Sequence, residues 1–195
     1  PGFVNELKKW RFTGLLGLNT LFVALMEHPE FKTLDFSGLK ITNSGGTALV
    51  KATAERWKQV TGCAVVEGFG LTETSPVATT NPYGEGARLG TVGIPVPGTS
   101  LKVIDDNGVE LPIGERGELC VKGPQVMKGY WQREEATAEV LDAEGWLKTG
   151  DVAIIEADGF VRIVDRKKDM IIVSGFNVYP NEIEDVLMTH PKIAS

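Results

Sequence analysis

Between Val65 and Pro76 the chain reads VVEGFGLTETSP: an apolar run ends in two glycines bracketing an aromatic ring, then offers a hydroxyl, a carboxylate and a second hydroxyl. Two kinds of chemistry fit these residue types. The glycines can serve a turn that needs positive φ, with Thr72 and Glu73 merely opening a helix. Alternatively, Gly68 and Gly70 let the backbone approach a ligand closely, and Thr72 and Glu73 face phosphate and a metal ion. The stretch alone leaves both readings open.

Other chemistries find less support. Ser44-Gly45-Gly46 is not the G-x-S-x-G elbow of a nucleophilic serine, and the two histidines, His28 and His190, each stand before a proline near the end of an expected helix. The zinc-protease H-E-x-x-H, the EF-hand loop and the Walker lysine motif are absent from the sequence. A net charge of −6 gives no electrostatic case for nucleic-acid binding. Cys63 and Cys120 sit singly in apolar runs, as expected of reduced core residues rather than of a disulfide or zinc site. The longest apolar stretch, GLLGLNTLFVALM from Gly14 to Met26, is interrupted by Asn19 and Thr20 and falls short of the roughly 20 residues of a membrane span. No signal-peptide pattern precedes it, and the chain reads as part of a longer protein.

The elements that position the glycine segments are legible from periodicity. LKITN (Leu39 to Asn43) reads as a strand, Leu49 to Val60 as a helix with Leu49, Ala52, Trp57 and Val60 on one face, and CAVVE (Cys63 to Glu67) as the next strand. Such a β-α-β unit makes the two strands parallel through a right-handed crossover. Two glycine loops, SGG at Ser44 to Gly46 and GFG at Gly68 to Gly70, then follow the C-terminal ends of parallel strands, where open α/β sheets take ligands. From Arg88 the texture becomes β-rich, with hairpin signals at Asn107-Gly108 and at Ala157-Asp158-Gly159, and one helix at EEATAEVL. A small barrel or sandwich is expected there. After the charged run DRKKD (Asp165 to Asp169), MIIV reads as a strand, SGFN as a loop and YPNEIEDVLMTH as a helix with Pro180 in its first turn. The expected fold class is α/β: residues 1–84 close a partial parallel α/β subdomain, 85–166 form a β-barrel-like subdomain, and 167–195 hold a hinge and the start of a small α+β domain.

Five polar-glycine signatures follow one another in order: NSGGTAL, EGFGLTET, GELCVKGPQVMKGYW, GWLKTGD and FVRIVDRKKDMIIVSGFNVYPNEIE. Together, at these separations, they resemble the late core motifs of the adenylate-forming superfamily, over nearly the whole stretch from Asn43 to Glu184. Within it, VKGPQVMKGYWQR and IVDRKKDMIIVSGFNVYPNEIEDV look most like bacterial long-chain fatty acid–CoA ligases.

The resemblance implies ATP-dependent conversion of a fatty acid to acyl-adenylate and then to acyl-CoA, with ATP, Mg²⁺ and CoA as participants. It implies that Thr72 bonds the α-phosphate, that Glu73 holds Mg²⁺, and that Phe69, between Gly68 and Gly70, packs on adenine. Gly45, Gly46 and Thr47 would close the adenine site. Asp151 of the KTGD stretch would accept bonds from the ribose hydroxyls, and Arg166 would reach ribose or phosphate. Lys168 falls at the family's hinge, and Ser174, Gly175 and Phe176 at its CoA tunnel. Gly117, Glu118 and the Gly129-Tyr130-Trp131 run look architectural, with Glu118 an internal acceptor and Trp131 a core residue. By the same resemblance, a serine, threonine and glycine-rich phosphate loop should lie before Pro1 and a lysine beyond Ser195, so residues 1–195 alone are expected to be inactive. The setting implied is cytoplasmic, with peripheral association at the inner membrane face left open. Chain-length preference and oligomeric state are not legible. An aryl-CoA ligase of the same superfamily, or a non-catalytic nucleotide-binding piece, are the rival readings.

Overall fold

In the computed structural model, residues 2–173 and 176–187 are described. They form α1 (Gly2–Leu7), β1 (Gly14–Gly17), α2 (Asn19–Glu27), β2 (Ile41–Ser44), α3 (Lys51–Thr61), β3 (Val65–Gly70), β4 (Val77–Thr80) and β5 (Ile94–Pro95). There follow β6 (Ser100–Ile104), β7 (Arg116–Lys122), α4 (Glu134–Val140), β8 (Leu147–Ile155), β9 (Val161–Arg166), β10 (Ile171–Val173), β11 (Phe176–Val178) and α5 (Pro180–Leu187). The mixed α/β class read from the sequence is the class the chain adopts. Two compact units result: one of residues up to Thr72 with Pro76–Val96, the other of Glu73–Ser75 with the chain from Pro97 onward.

The first unit carries a five-stranded sheet in the order β1-β2-β3-β4-β5. β1, β2 and β3 run parallel, and β3, β4 and β5 antiparallel. The expected β-α-β unit is therefore present as β2-α3-β3. Its helix buries Trp57 against Phe22 and Phe31, with ring centroids 4.7 and 5.4 Å away. The indole N–H does not go unpaired in that core: it donates to Thr42 Oγ1 at 3.2 Å. α2 supplies Phe22, Leu25 and Met26 to the same core. His28 caps the C-terminus of α2, as its place before a proline suggests.

The second unit is a four-stranded antiparallel sheet in the order β6-β7-β8-β9, with the two-stranded hairpin β10-β11. It does not close into a barrel among the described residues; four antiparallel strands in sequence order leave two open edges. Leu119, Val121, Leu147 and Val161 are buried along it. α5 is tied to β9 because Asp165, buried at the strand end, accepts from the backbone N–H of Asn181 through Oδ2 at 3.1 Å. Arg116 adds a stack over the Tyr179 ring, 4.5 Å to the centroid, and an ion pair to Glu182 at 2.7 Å. Both cysteines are buried and free, as expected. Among the described residues no helix is long and apolar enough to cross a membrane.

Two local expectations are overturned. Gly68-Phe69-Gly70 is not a loop but the end of β3, with Gly68 opposite Thr80 and Phe69 opposite Thr79 on β4. The register shifts between Phe69 and Gly70, and there the two backbones nearly touch: a Cβ on Gly70 would collide with the carbonyl of Pro76. These glycines permit close approach rather than a turn. In SGFN, Phe176 and Asn177 belong to β11, paired with Val173 and Ile172.

Candidate functional site

The first unit presents an open cleft of about 320 Å³, lined by Asn43 and Gly46 on one side and by Gly68, Phe69, Gly70 and Tyr83 among others. Parallel pairing of β2 with β3 brings the two glycine segments together at the ends of these strands; a Cβ on Gly45 would lie 3.7 Å from the Gly68 carbonyl oxygen. Gly46, which lines the cleft, adopts φ +83°, a left-handed conformation. Phe69 is half-buried and Thr47 exposed. The lining thus joins three glycines and two aromatic residues, Phe69 and Tyr83, to Asn43, Pro76, Val77 and Thr80, none of them ionised, a surface suited to a flat heterocycle.

Thr72, Glu73 and Thr74 form a single 3₁₀ turn after β3, with the Thr72 side chain exposed. Glu73 belongs to the second unit and is engaged there from the VMKGYW stretch. Its backbone carbonyl accepts from Met127 N–H at 2.8 Å, and its Oε1 accepts from the Tyr130 hydroxyl at 2.7 Å. The carboxylate beside it pushes the Tyr130 phenol up from its ordinary pKa. No cluster of three or more metal-ligating side chains occurs among the described residues. A lone carboxylate of this kind fits Mg²⁺, which keeps several waters and takes one or two carboxylates plus substrate phosphates.

In the second unit β8 and β9 place Asp151 opposite Arg166. Asp151 is buried, 7% exposed, and its Oδ1 lies 3.8 Å from the Arg166 Nε. Burial raises the Asp151 pKa to about 6; Arg166 opposes the rise and Glu118 adds to it. The segment is held from several sides. Glu118 on β7 accepts from the Gly150 N–H through Oε1 at 3.2 Å and from Lys167 Nζ through Oε2 at 3.0 Å. Lys167 also pairs with Asp106 at 3.1 Å, and its own N–H donates to the Gly150 carbonyl at 2.8 Å. Glu118 is the internal acceptor that its place in the sequence suggested. The result is a desolvated carboxylate on a pinned strand, able to accept from two hydroxyls and unable to donate while ionised.

Lys168 is exposed in the turn after β9, and Phe176 is 76% exposed on β11. Ser174 and Gly175 lie outside the described residues. Trp131, read from sequence as core, is 87% exposed. In that run the residue with a partner is Tyr130, whose Glu73 contact spans 57 positions and leaves no local signal. Sequence reasoning also passed over Lys167 in favour of its neighbour, and over Glu67. An unbroken apolar neighbourhood around a single acid, VVEGF, is the signal that marks Glu67.

The family model described as AMP-binding enzyme matches residues 1–131. The chain is 55% identical over 193 residues to a long-chain-fatty-acid–CoA ligase of Escherichia coli, covering 99% of this chain and 34% of that protein. It is 40% identical to a feruloyl-CoA synthase of an Amycolatopsis species, over 99% of this chain and 39% of the relative. Among solved structures, ATP-bound MatB from Rhodopseudomonas palustris superposes with a TM-score of 0.88 at 37% identity, over 99% of this chain and 38% of that one. The chain therefore spans about a third of the length of the curated relatives it matches.

Proposed function

The chain belongs to the AMP-binding enzyme family, and from that membership we propose that the longer protein it forms part of joins a long-chain fatty acid to CoA at the expense of ATP. The observation that carries the substrate class is the 55% identity, over nearly the whole chain, to a relative named for that reaction. In the first half-reaction a carboxylate oxygen bonds to the α-phosphorus, the bond to the β-phosphate breaks, and pyrophosphate leaves. In the second, the CoA thiol gives its proton to solvent, its sulfur bonds to the acyl carbon, the bond from that carbon to the phosphate oxygen breaks, and AMP departs.

Negative charge gathers on phosphate oxygens in the first step, so positioned donors count for more than a protein nucleophile. Thr72 donates its hydroxyl to the α-phosphate. Glu73, held by Tyr130, ligates Mg²⁺; when bound, that ion offsets phosphate charge. Phe69 packs on adenine, with Gly68 and Gly70 keeping the strand close and Gly45, Gly46 and Thr47 covering the base. Asp151 accepts from the ribose hydroxyls, and Arg166 reaches ribose or phosphate. Lys168 is the hinge between the large domain, whose α/β and β-rich parts meet at 84/85, and the small C-terminal domain that starts at 167, since an exposed residue changes torsion at low cost. Ser174, Gly175 and Phe176 line the path of CoA. The reaction belongs in the cytoplasm, where ATP and CoA are found, with fatty acid taken up at the inner membrane face.

A second reading, ligation of an aryl acid, has the 40% identity to feruloyl-CoA synthase in its favour. Both are tested by incubating the full-length protein with ATP, Mg²⁺ and CoA and either palmitate or ferulate. The expected outcome is palmitoyl-CoA with equal AMP and pyrophosphate, and kcat/KM for palmitate at least about tenfold above ferulate. Preference for ferulate would establish the second reading; no AMP from either acid would sink both. Glu73→Gln should cost roughly 2.7–4 kcal/mol in the adenylation barrier, by analogy with loss of one oxyanion donor, and raise the Mg²⁺ requirement.

A further inference from the structure

Glu67 lies on β3, two residues before Phe69, opposite Ser44 on β2. It is 7% exposed, and its position in an otherwise apolar strand calls for a reason, because a buried carboxylate is expensive unless it is bonded. Its two oxygens are divided between two different segments. Oε1 accepts from the Leu49 N–H at 3.3 Å, and Oε2 from the Gly90 N–H at 3.2 Å. Leu49 closes the Gly45–Ala48 turn, whose Gly46 lines the cleft; Gly90 follows the segment carrying Tyr83, which lines it as well.

The main chain of Glu67 does the same work with a second partner. Its carbonyl accepts from the Asn81 backbone N–H at 2.9 Å and from Asn81 Nδ2 at 3.2 Å. Asn81 is itself buried and fully used: Nδ2 donates to the Thr91 carbonyl at 2.6 Å, and Oδ1 accepts from the Arg88 N–H at 2.9 Å. The carboxylate, its own backbone and Asn81 thus clip two otherwise irregular segments to one strand of the sheet. A neutral isostere cannot replace it. An amide has one acceptor oxygen, and its NH₂ would face an N–H donor.

We infer that Glu67 is a positioning residue for the nucleotide: it fixes both segments flanking the Phe69 cleft so that the site is formed before the base arrives. The inference rests on the nucleotide-binding reading above. Preorganisation of this kind acts on affinity, since loops already in place cost no ordering entropy on binding.

The test uses the full-length protein with Glu67→Gln and Glu67→Asp, the latter too short to reach both N–H groups. For folded variants, KM for ATP should rise about fivefold or more, with kcat at saturating ATP and KM for fatty acid within about twofold of wild type. AMP titrated by calorimetry should weaken by a similar factor, and amide exchange at Leu49 and Gly90 should quicken. A residue that merely supports the fold would lower the active fraction, and so kcat, with KM for ATP unchanged; that result overturns the proposal, as does failure of both variants to fold. The AMP titration needs no acid substrate. An acid-specificity reading that fails in wild type therefore leaves this measurement interpretable, and unaltered AMP affinity in folded Glu67→Gln rejects the role of Glu67 alone.

Discussion

Around Phe69 the cleft is lined by two glycine segments, the aromatic residues Phe69 and Tyr83 and other uncharged residues, with no ionised group in its lining. Around Asp151 charged side chains gather: Arg166 pairs with it directly, while Lys167 pairs with Glu118 and Asp106, and Glu118 holds the neighbouring Gly150 N–H. The two regions should fail in different ways. Where glycine main chain meets main chain the first region cannot take an added methyl group, because backbone cannot rotate aside, and its one buried charge, Glu67, acts from behind by holding the flanking segments. A charge-built cluster tolerates shape but not loss of an ionised acceptor.

The largest effect is expected where backbones meet. Gly70→Ala would drive a Cβ into the Pro76 carbonyl at the β3-β4 bulge. Overpacking that side-chain motion cannot relieve lies at the upper end of the usual cost, about 3 kcal/mol or more. Denaturant midpoints should show that loss, with AMP binding lost alongside. Gly46→Ala is the control: here φ is +83°, as it is not at Gly70, but nothing lies within 4 Å of the added atom, so only the left-handed cost of about 1–2 kcal/mol applies. Equal effects at both positions would mean that contact distance is not what matters in this wall.

In the charged cluster, stability and binding should move in opposite directions. The Asp151 pKa is raised from 3.8 to about 6, so the folded state takes up this proton before the unfolded state does. Folding is then favoured as pH falls from 6 towards 3.8, and the cost of burying the charge is complete above about 6. At pH 7, Asp151→Asn should therefore stabilise the protein, by at most about 3 kcal/mol, and should be neutral below about pH 4. The same substitution removes an acceptor of two charge-assisted bonds, and KM for ATP should rise at least about tenfold. In the wild type, ATP should bind more weakly as pH falls below about 6. An Asp151→Asn protein less stable at pH 7 would mean that the pairing with Arg166 outweighs desolvation.

The same contrast explains what the sequence made legible. β2-α3-β3 could be read because Leu49, Trp57 and Val60 recur near helical spacing between two short apolar runs; Ala52, placed on the same face by that spacing, is exposed, and Ala54 is buried instead. The GFG segment could not be read as strand because glycine has no side chain to mark a face; its reason is the Pro76 backbone across the bulge, a tertiary fact. β1, GLLG, has only two residues with side chains to mark a face, and β5 has only two residues in all, so neither shows a period. Trp131 was read as core on hydrophobicity alone, yet it is the adjacent Tyr130 that has a partner. Residues carrying the motifs were legible by type. The groups that hold them in place, Glu67, Asn81 and Lys167, were not, because their partners come from other elements.

The smallest effect is expected at Tyr130, and it asks whether burial rather than charge sets the sensitivity of the side-chain-built half. Tyr130 is 37% exposed, so its 2.7 Å bond to Glu73 competes with water in a way that the bonds around Asp151 do not. Tyr130→Phe keeps the ring and removes only the donor. Losing one such bond should cost about 0.5–1.5 kcal/mol, read as a few-fold fall in kcat/KM for ATP. Thermal stability should change by no more than about 0.5 kcal/mol, as for other surface substitutions. Because the hydroxyl fixes the direction of Glu73 Oε1, the Mg²⁺ concentration for half-maximal adenylation should rise by about the same few-fold factor. An unchanged Mg²⁺ requirement would show that Glu73 orients itself without the phenol. A loss of a hundredfold would show that an exposed bond can matter as much as a desolvated one, and the contrast between the two kinds of wall would then rest on chemistry rather than on burial.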